Sequence, residues 1–199
     1  MNLQNPKKFK MLVDQAHEVA LHVLRPVSRK YDKAEHAYPK ELDMLASLVD
    51  GMNEGGEGMN AGAAGAGNRS ESDNEGNRNG TNMSTALSII EMCYGDTGLL
   101  LSMPRQGLGN SAIAAVANDE QLERFKGTWA AMAITESGCG SDSAAIRTTA
   151  IKDGDDYILN GEKIFVTSGE RSDSVVVWAT LDKKLGRAAI KSFVVPKGT

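Results

Sequence analysis

The first 50 residues carry apolar side chains at helical spacing. From Phe9 to Leu24 these side chains recur every three or four residues, which predicts an amphipathic helix. Asn5 and Pro6 predict its start, as the N-cap and the first helical residue. Pro26 is expected to kink or end this helix, because proline has no N–H to donate. Pro39 opens a second helical pattern, whose apolar side comprises Leu42, Leu45, Ala46 and Val49.

The segment from Gly51 to Gly80 breaks this pattern. It contains nine glycines and six asparagines but no Leu, Ile, Val or aromatic residue. Such a composition cannot bury enough apolar surface to offset the entropy that is lost on ordering. We therefore interpret this segment as a flexible loop or disordered insert rather than as a tethered recognition loop.

Helical patterns resume after this segment, and Gly95 ends the next predicted helix. A short apolar segment precedes Pro104, and further helices are predicted over residues 110–117 and 118–125. Together these patterns predict a small helical bundle in the N-terminal part of the chain. The predicted apolar face of the helix before Gly95 comprises Met83, Ala86, Leu87, Ile90 and Tyr94.

The spacing of apolar residues becomes strand-like at Thr128. Asp153-Gly154-Asp155 and Asn160-Gly161 are turn signals between alternating segments. Long helices between the strands are not predicted, which disfavours a Rossmann fold. The sequence thus predicts an α+β fold, with a helical N-terminal domain over residues 1–127 and an antiparallel, meander-like β-domain over residues 128–199. The predicted strands are residues 129–135, 145–151, 157–159, 162–167, 174–181 and 190–195.

Composition and charge narrow the possible functions. The net charge is −4, which gives no basic surface for nucleic acid. No segment approaches the roughly 20 consecutive apolar residues of a membrane span, and residues 1–10 lack the apolar core of a secretory signal. Cys93 and Cys139 lie far apart without a metal-ligand or disulfide pattern, so a reducing cytoplasm is the expected location. The histidines have no nucleophile or carboxylate arrangement beside them and are expected to be surface or packing residues; they are His17, His22 and His36.

Two stretches carry candidate chemistry. In the first, a strand that ends at Thr135 leads into glycines, which let the backbone turn sharply and approach a ligand. The hydroxyls of Ser137 and Ser141, with exposed N–H groups, suit a phosphate or the polar edge of a ring. In the second, Phe165 and Thr167 suit a planar heterocycle, one packing against it and the other bonding its edge. Taken singly, these stretches are an ordinary turn and a core strand; taken together, we expect them to flank one cleft.

Three stretches of sequence form a recognisable set. They are Ala133-Ile134-Thr135-Glu136-Ser137-Gly138-Cys139-Gly140-Ser141-Asp142, Asn160-Gly161-Glu162-Lys163-Ile164-Phe165-Val166-Thr167-Ser168-Gly169, and Ser192-Phe193-Val194-Val195-Pro196-Lys197-Gly198-Thr199. Together these stretches resemble the acyl-CoA dehydrogenase family, in which a proline is common where Ser137 stands. The resemblance implies a helical N-terminal domain, a middle β-domain and a C-terminal four-helix domain, assembled as dimers or tetramers.

The resemblance also implies FAD as the cofactor. Thr135 would bond the pyrimidine end of the flavin, Thr167 would bond flavin N5, and Ser141 would contact the cofactor pyrophosphate or bound acyl-CoA. The implied reaction is α,β-dehydrogenation of an acyl-CoA thioester, as in fatty acid β-oxidation, with electrons passing to an electron-transferring flavoprotein. The residues expected to bind the cofactor are Met132, Ala133, Ile134, Thr135, Gly140, Ser141, Phe165, Val166 and Thr167.

The chain has roughly half the usual length of this family. The absent half normally supplies the catalytic base, so no catalytic residue is assigned, and Glu136 belongs to the flavin loop. We expect the chain alone to be inactive, and to assemble as a homo-oligomer or with a chain that supplies the C-terminal helices. The segment Gly51 to Gly80 replaces a usually ordered loop near the acyl site, which leaves the acyl specificity open.

Several alternatives stay open from the sequence. The chain could be a non-catalytic flavin-binding or structural subunit, or part of a flavin oxidase or monooxygenase of the same superfamily. The retained Thr135, Ser141, Phe165 and Thr167 argue against complete loss of flavin binding. A plain helical-plus-β interaction module is disfavoured by the paired motifs.

Overall fold

The computed structural model describes residues 7–35, 37–54, 81–104 and 108–199. The chain divides into two compact units, Met1–Gln106 and Gly107–Thr199. This division falls earlier than the predicted domain boundary at residue 127, which marks the change from helices to strands. Within the described ranges, no helix is both long and apolar enough to cross a lipid bilayer.

The first unit is helical. Its first long helix continues through Pro26, which was expected to kink or end it. Just before Pro26 the helix widens, and the N–H of Arg25 bonds to the carbonyl of Ala20, five residues back. This π-type turn accommodates a residue that cannot donate a backbone hydrogen bond. The elements are α1 (Lys10–Val19), the π segment (Ala20–Leu24), α2 (Arg25–Lys33), α3 (Glu41–Glu54), α4 (Thr81–Gly95) and α5 (Thr97–Leu101).

The buried face of α4 differs from the predicted one. Ser88 and Met92 are buried, whereas Ile90 and Tyr94 are 63% and 53% exposed. The physical reason is a close helix approach, since a Cβ at Gly95 would lie 2.8 Å from the carbonyl oxygen of Ala20. Small residues therefore decide which side of α4 faces the core. The core of this unit comprises Ala16, Leu24, Leu42, Leu45, Met92, Leu99, Leu100 and Met103.

Some predictions fall on the edges of the described ranges. The predicted helix start at Asn5 and Pro6 and the side chain of Val49 lie outside the described residues. Helix α3 reaches Glu54, four residues into the predicted loop Gly51 to Gly80. The remainder of that loop, residues 55–80, lies outside the described residues.

The second unit combines two helices with a sheet. Helix α7 begins where the sequence predicts it, at a capping box in which Asn118 and Gln121 exchange hydrogen bonds of 2.9 and 3.1 Å. The elements are α6 (Leu108–Val116), α7 (Asp119–Arg124), β1 (Ala130–Ala133), β2 (Thr149–Asp153), β3 (Asp156–Asn160), β4 (Ser174–Thr180) and β5 (Ile190–Pro196).

The sheet is mixed, which confirms the α+β fold class but not the antiparallel arrangement. Strands β2 and β3 form the predicted hairpin, and β5 pairs antiparallel with the whole of β4. Strands β1 and β4 are parallel, with Ala130 opposite Ser174. Strand β2 meets β4 in parallel at Thr149 and Thr180. The chain between β1 and β4 is long enough to return in the same direction, which a meander does not allow.

Strands β1 and β2 lie one after the other along the same edge of β4. This follows because β5 occupies the other edge over its full length. Residues 134–148 therefore leave the sheet at the end of β1 and rejoin it at the start of β2. We call residues 134–148 the first site loop.

The predicted strand at residues 162–167 is wrong. No strand lies between β3 and β4. Phe165 has a left-handed φ of 56°, which is incompatible with an extended backbone. The N–H of Ile164 donates to the first site loop at Thr135 rather than to a strand ladder. We call residues 161–169 the second site loop.

Helix α6 packs directly on β1. Ile113 of α6 forms a core with Ala130 and Val176 of the sheet. A Cβ at Gly109 would lie 2.3 Å from the carbonyl oxygen of Ala131, so glycine is required for this close approach. This packing explains why α6 and α7 belong to the same compact unit as the sheet.

Candidate functional site

The first site loop begins with a tight turn. After β1 ends at Ala133, Glu136 and Cys139 exchange backbone hydrogen bonds of 3.0 and 3.1 Å. Ser137 and Gly138 occupy the tip of this turn and are exposed. Gly140 and Ser141 follow the turn and are also exposed, so the predicted sharp turn after the strand is present.

Glu136 closes the base of the first site loop. Its carboxylate accepts hydrogen bonds from the N–H of Arg147 at 2.7 Å and of Thr148 at 2.9 Å, and from the Thr148 hydroxyl at 2.6 Å. These bonds connect the two ends of the loop, where the chain leaves β1 and approaches β2. The loop is therefore held as a closed unit at the edge of β4.

Glu136 also forms a buried ion pair with Lys163 of the second site loop. The Lys163 Nζ lies 2.8 Å from Glu136 Oε1, and the two side chains are 8% and 9% exposed. Burial alone would raise the pKa of Glu136. Hydrogen bonds from Lys163, from the Thr148 hydroxyl and backbone and from the Arg147 backbone outweigh it and lower that pKa from 4.5 to about 2. The carboxylate is therefore ionised at neutral pH.

The two site loops lie side by side. Besides its ion pair, Lys163 donates from Nζ to the carbonyl oxygen of Ile134 at 2.9 Å. The N–H of Ile164 donates to the carbonyl oxygen of Thr135, also at 2.9 Å. Gly161 packs against Thr148 so closely that a Cβ there would lie 2.4 Å from the threonine Oγ1. The structure thus brings together the two stretches that the sequence predicts to flank one cleft.

Phe165 is presented to solvent by the second site loop. Its side chain is 87% exposed although its backbone adopts a left-handed φ of 56°. A bulky residue in that conformation is unfavourable, and such conformations concentrate at binding sites. The following turn is fixed by a hydrogen bond of 3.1 Å from the N–H of Gly169 to the carbonyl of Val166, and it leaves Thr167 exposed.

Open space surrounds the glycines of the first site loop. A Cβ at Gly138 or Gly140 would meet no atom within 4 Å in the part of the chain that the structure describes. Neither glycine has the positive φ that would require it. Chain packing therefore does not explain these glycines, and the open backbone leaves room for a ligand to approach closely.

The candidate cofactor residues fall into three groups by exposure. Ala133 in β1 is buried. Met132, Ile134, Thr135 and Val166 are half-buried. The exposed residues are Gly140, Ser141, Phe165 and Thr167. Exposed hydroxyls, an exposed aromatic ring and open backbone are suited to a large planar ligand with a phosphate tail.

Sequence reasoning missed the roles of Lys163 and Thr148. They lie 27 and 12 positions from Glu136, and no period or turn signal links residues at those separations. The sequence signal that could have indicated these contacts was Glu136, a carboxylate within a turn of small residues.

No cluster of metal-ligating side chains occurs among the described residues.

Known proteins are similar to this chain in sequence and in fold. Residues 131–199 match the family model described as "Acyl-CoA dehydrogenase, middle domain". A 3-(aryl)acrylate reductase of Clostridium sporogenes is 34% identical over 188 residues, which cover 90% of this chain and 45% of that protein. The chain spans about half the length of the curated relatives that it matches along most of its sequence.

Solved structures match over the whole chain or nearly so. They include butyryl-CoA dehydrogenase from Megasphaera elsdenii (TM-score 0.75, 26% identity, 100% of this chain and 51% of that chain). The electron transferring flavoprotein structure of Acidaminococcus fermentans gives a TM-score of 0.70 at 27% identity, over 100% of this chain and 50% of that chain. A glutaryl-CoA dehydrogenase of Mycobacterium smegmatis in complex with FADH2 shares the fold (TM-score 0.72, 23% identity, 98% of this chain and 47% of that chain). The chain belongs to the acyl-CoA dehydrogenase family, of whose full-length members it spans roughly the N-terminal half.

Proposed function

We propose that this chain supplies the flavin-binding part of an enzyme that catalyses FAD-dependent α,β-dehydrogenation of an acyl-CoA thioester. The observation that carries the proposal is the contact between the two site loops at Thr135 and Ile164. Phe165, whose ring is exposed, directly follows Ile164 in the chain, and Thr135 belongs to the same loop as Ser141.

FAD is compatible with the residues at this site. Phe165 offers an exposed ring face, and the backbone around Gly138 and Gly140 is open to a ligand. Thr135 and Thr167 would hold the polar edge of the flavin, and Ser141 the pyrophosphate or the bound acyl-CoA. Met132, Ala133, Ile134 and Val166 would line the same site. When bound, FAD supplies the oxidant that accepts a hydride equivalent from the substrate β-carbon.

Glu136 is not suited to remove the substrate α-proton. Its carboxylate is buried, accepts hydrogen bonds from Lys163, Thr148 and Arg147, and has a pKa of about 2. A general base works best when its pKa lies near the working pH and its oxygen can reach the proton. We therefore assign no catalytic base within these 199 residues and propose that it comes from the C-terminal helical half or from a partner chain.

The proposed partners follow from the same function. Acyl-CoA is the substrate, and an electron-transferring flavoprotein is the electron acceptor. The similarity to a chain in the electron transferring flavoprotein structure of Acidaminococcus fermentans supports this acceptor. We propose a homo-oligomer, or a hetero-oligomer in which another chain supplies the C-terminal helices.

The test is flavin spectroscopy of the protein that contains this chain, purified with any bound subunits. We expect stoichiometric FAD and bleaching of its visible absorbance when a saturated acyl-CoA is added without oxygen. Flavin that stays oxidised with every acyl-CoA would indicate a non-catalytic subunit. Protein that does not retain or bind FAD would contradict the proposal.

A second candidate is the same two-electron reaction in the opposite direction. The 34% identity to a 3-(aryl)acrylate reductase over 90% of the chain favours it. Chemically reduced protein distinguishes the two, because a reductase is reoxidised by an arylacrylate substrate in the absence of oxygen. A dehydrogenase is instead reduced by the saturated thioester.

A further inference from the structure

Three separate parts of the chain meet at the carboxylate of Glu136. Ile134 and Glu136 itself follow β1, Arg147 and Thr148 precede β2, and Lys163 follows β3. All three parts are bound through short hydrogen bonds, from 2.6 to 2.9 Å. We call Glu136, Lys163 and Thr148 the loop junction.

An ion pair at this position is better suited to fixing geometry than to adding stability. Taking two charges out of water is costly, and a buried pair often stabilises a fold no more than apolar side chains of equal size. The hydrogen bonds of Lys163 are directional, because its Nζ must reach both Ile134 O and Glu136 Oε1. A well-satisfied buried polar network of this kind specifies one arrangement of the segments that it joins.

The arrangement that the loop junction specifies is that of the two site loops. Lys163 is two residues before Phe165, and Ile164 between them donates to the carbonyl of Thr135. Glu136 directly follows Thr135. A displacement of the ion pair would therefore move the Phe165 ring and the Thr167 hydroxyl relative to Thr135 and Ser141.

We propose that Glu136 and Lys163 are positioning residues for the flavin. They fix the register between the first and second site loops, so that both bind one isoalloxazine ring with the geometry that tight binding requires. This inference rests on the proposed function, and it assigns no chemical step to either side chain. The loop junction acts through Thr135, Phe165 and Thr167, which make the contacts.

The test compares FAD binding by matched variants of the purified protein. Lys163→Met removes the ammonium group but keeps an unbranched side chain, and Glu136→Gln removes the acceptor charge. Glu162→Gln is the control, since this exposed carboxylate is adjacent to Lys163 in the chain. The measurements are the FAD dissociation constant, from quenching of flavin fluorescence, and the shape of the visible absorbance bands of bound flavin.

We expect Lys163→Met and Glu136→Gln each to weaken FAD binding about 10- to 100-fold, as removal of the residues that orient binding groups does at metal sites. The bands of the flavin that remains bound should shift toward those of free FAD. Lys163→Arg should recover most of the affinity, and Glu162→Gln should match the wild type. Unchanged affinity and spectrum in a folded Lys163→Met or Glu136→Gln protein would overturn the inference.

If those proteins do not fold, a milder variant tests whether the loop junction positions the flavin. Thr148→Val removes the hydroxyl that donates to Glu136 but leaves the ion pair in place. We expect it to bind FAD more weakly than the wild type, and equal affinity would overturn the inference. Wild-type protein that binds no FAD would instead contradict the proposed function, and the wild-type titration is therefore read first.

Discussion

Glu136 is a buried carboxylate with a strongly shifted pKa in the unit Gly107–Thr199. Its pKa of about 2 in the folded protein lies below its ordinary value of 4.5, because the hydrogen bonds to the carboxylate outweigh its burial. The sequence motif contained this residue, but only the structure shows its partners. Lys163 and Thr148 could not be predicted, since they reach Glu136 through the packing of three segments.

Low pH should reduce the unfolding free energy of the unit Gly107–Thr199, because Glu136 becomes protonated. A lowered pKa means that the stabilisation is fully present above pH 4.5 and is lost as the pH falls toward 2. We expect Glu136→Gln to flatten this dependence in urea unfolding between those pH values, whereas Glu162→Gln keeps it. Parallel curves for the wild type and Glu136→Gln would show that the carboxylate is not paired in this way.

Two glycines in the site loops should respond differently to alanine. Gly161→Ala places a Cβ 2.4 Å from Thr148 Oγ1, which should lower the unfolding free energy by about 1–3 kcal/mol. Gly140→Ala meets no described atom within 4 Å, so it should leave stability unchanged but weaken FAD binding. Chemical denaturation and FAD titration of both variants check this pair. Equal FAD affinity in Gly140→Ala and the wild type would remove the assigned role of Gly140.

Among the elements, the local signals were predictable and the long-range pairings were not. The helix start at Asn118 and the hairpin at Asp153-Gly154-Asp155 depend on neighbouring residues, and the sequence predicts both. The parallel pairing of β1 with β4 depends on where residues 134–173 return, which no local pattern specifies. The buried face of α4 was mispredicted because Gly95 and Ala20 allow a close approach that apolar periodicity does not reveal.

The contact between α6 and β1 depends on Gly109. Gly109→Ala would bring a Cβ within 2.3 Å of Ala131 O and force the helix away from the strand. We expect a loss of about 1–3 kcal/mol in unfolding free energy, as overpacking typically causes. Ser111→Ala on the same helix is the control, because Ser111 is exposed. If thermal or urea unfolding gives Gly109→Ala and Ser111→Ala the same stability, the helix does not pack on β1 as described.

For the whole molecule, the spacing of apolar residues predicted the α+β fold class, and the two motif stretches indicated the acyl-CoA dehydrogenase family. The structural and sequence similarities confirm both predictions. The substrate specificity could not be predicted, because the chain covers only about half the length of its relatives. The segment expected to contribute to that specificity, Gly51 to Gly80, lies mostly outside the described residues.

The most direct measurement is a FAD titration of the wild-type protein and of Phe165→Ala, in which flavin fluorescence reports how much FAD is bound. Phe165 is 87% exposed, so its truncation should leave the unfolding free energy nearly unchanged. If the two site loops bind one flavin, the variant should bind FAD about tenfold or more weakly, because it loses the ring that packs against the cofactor. Identical FAD affinities in two equally stable proteins would contradict a shared flavin site at these loops.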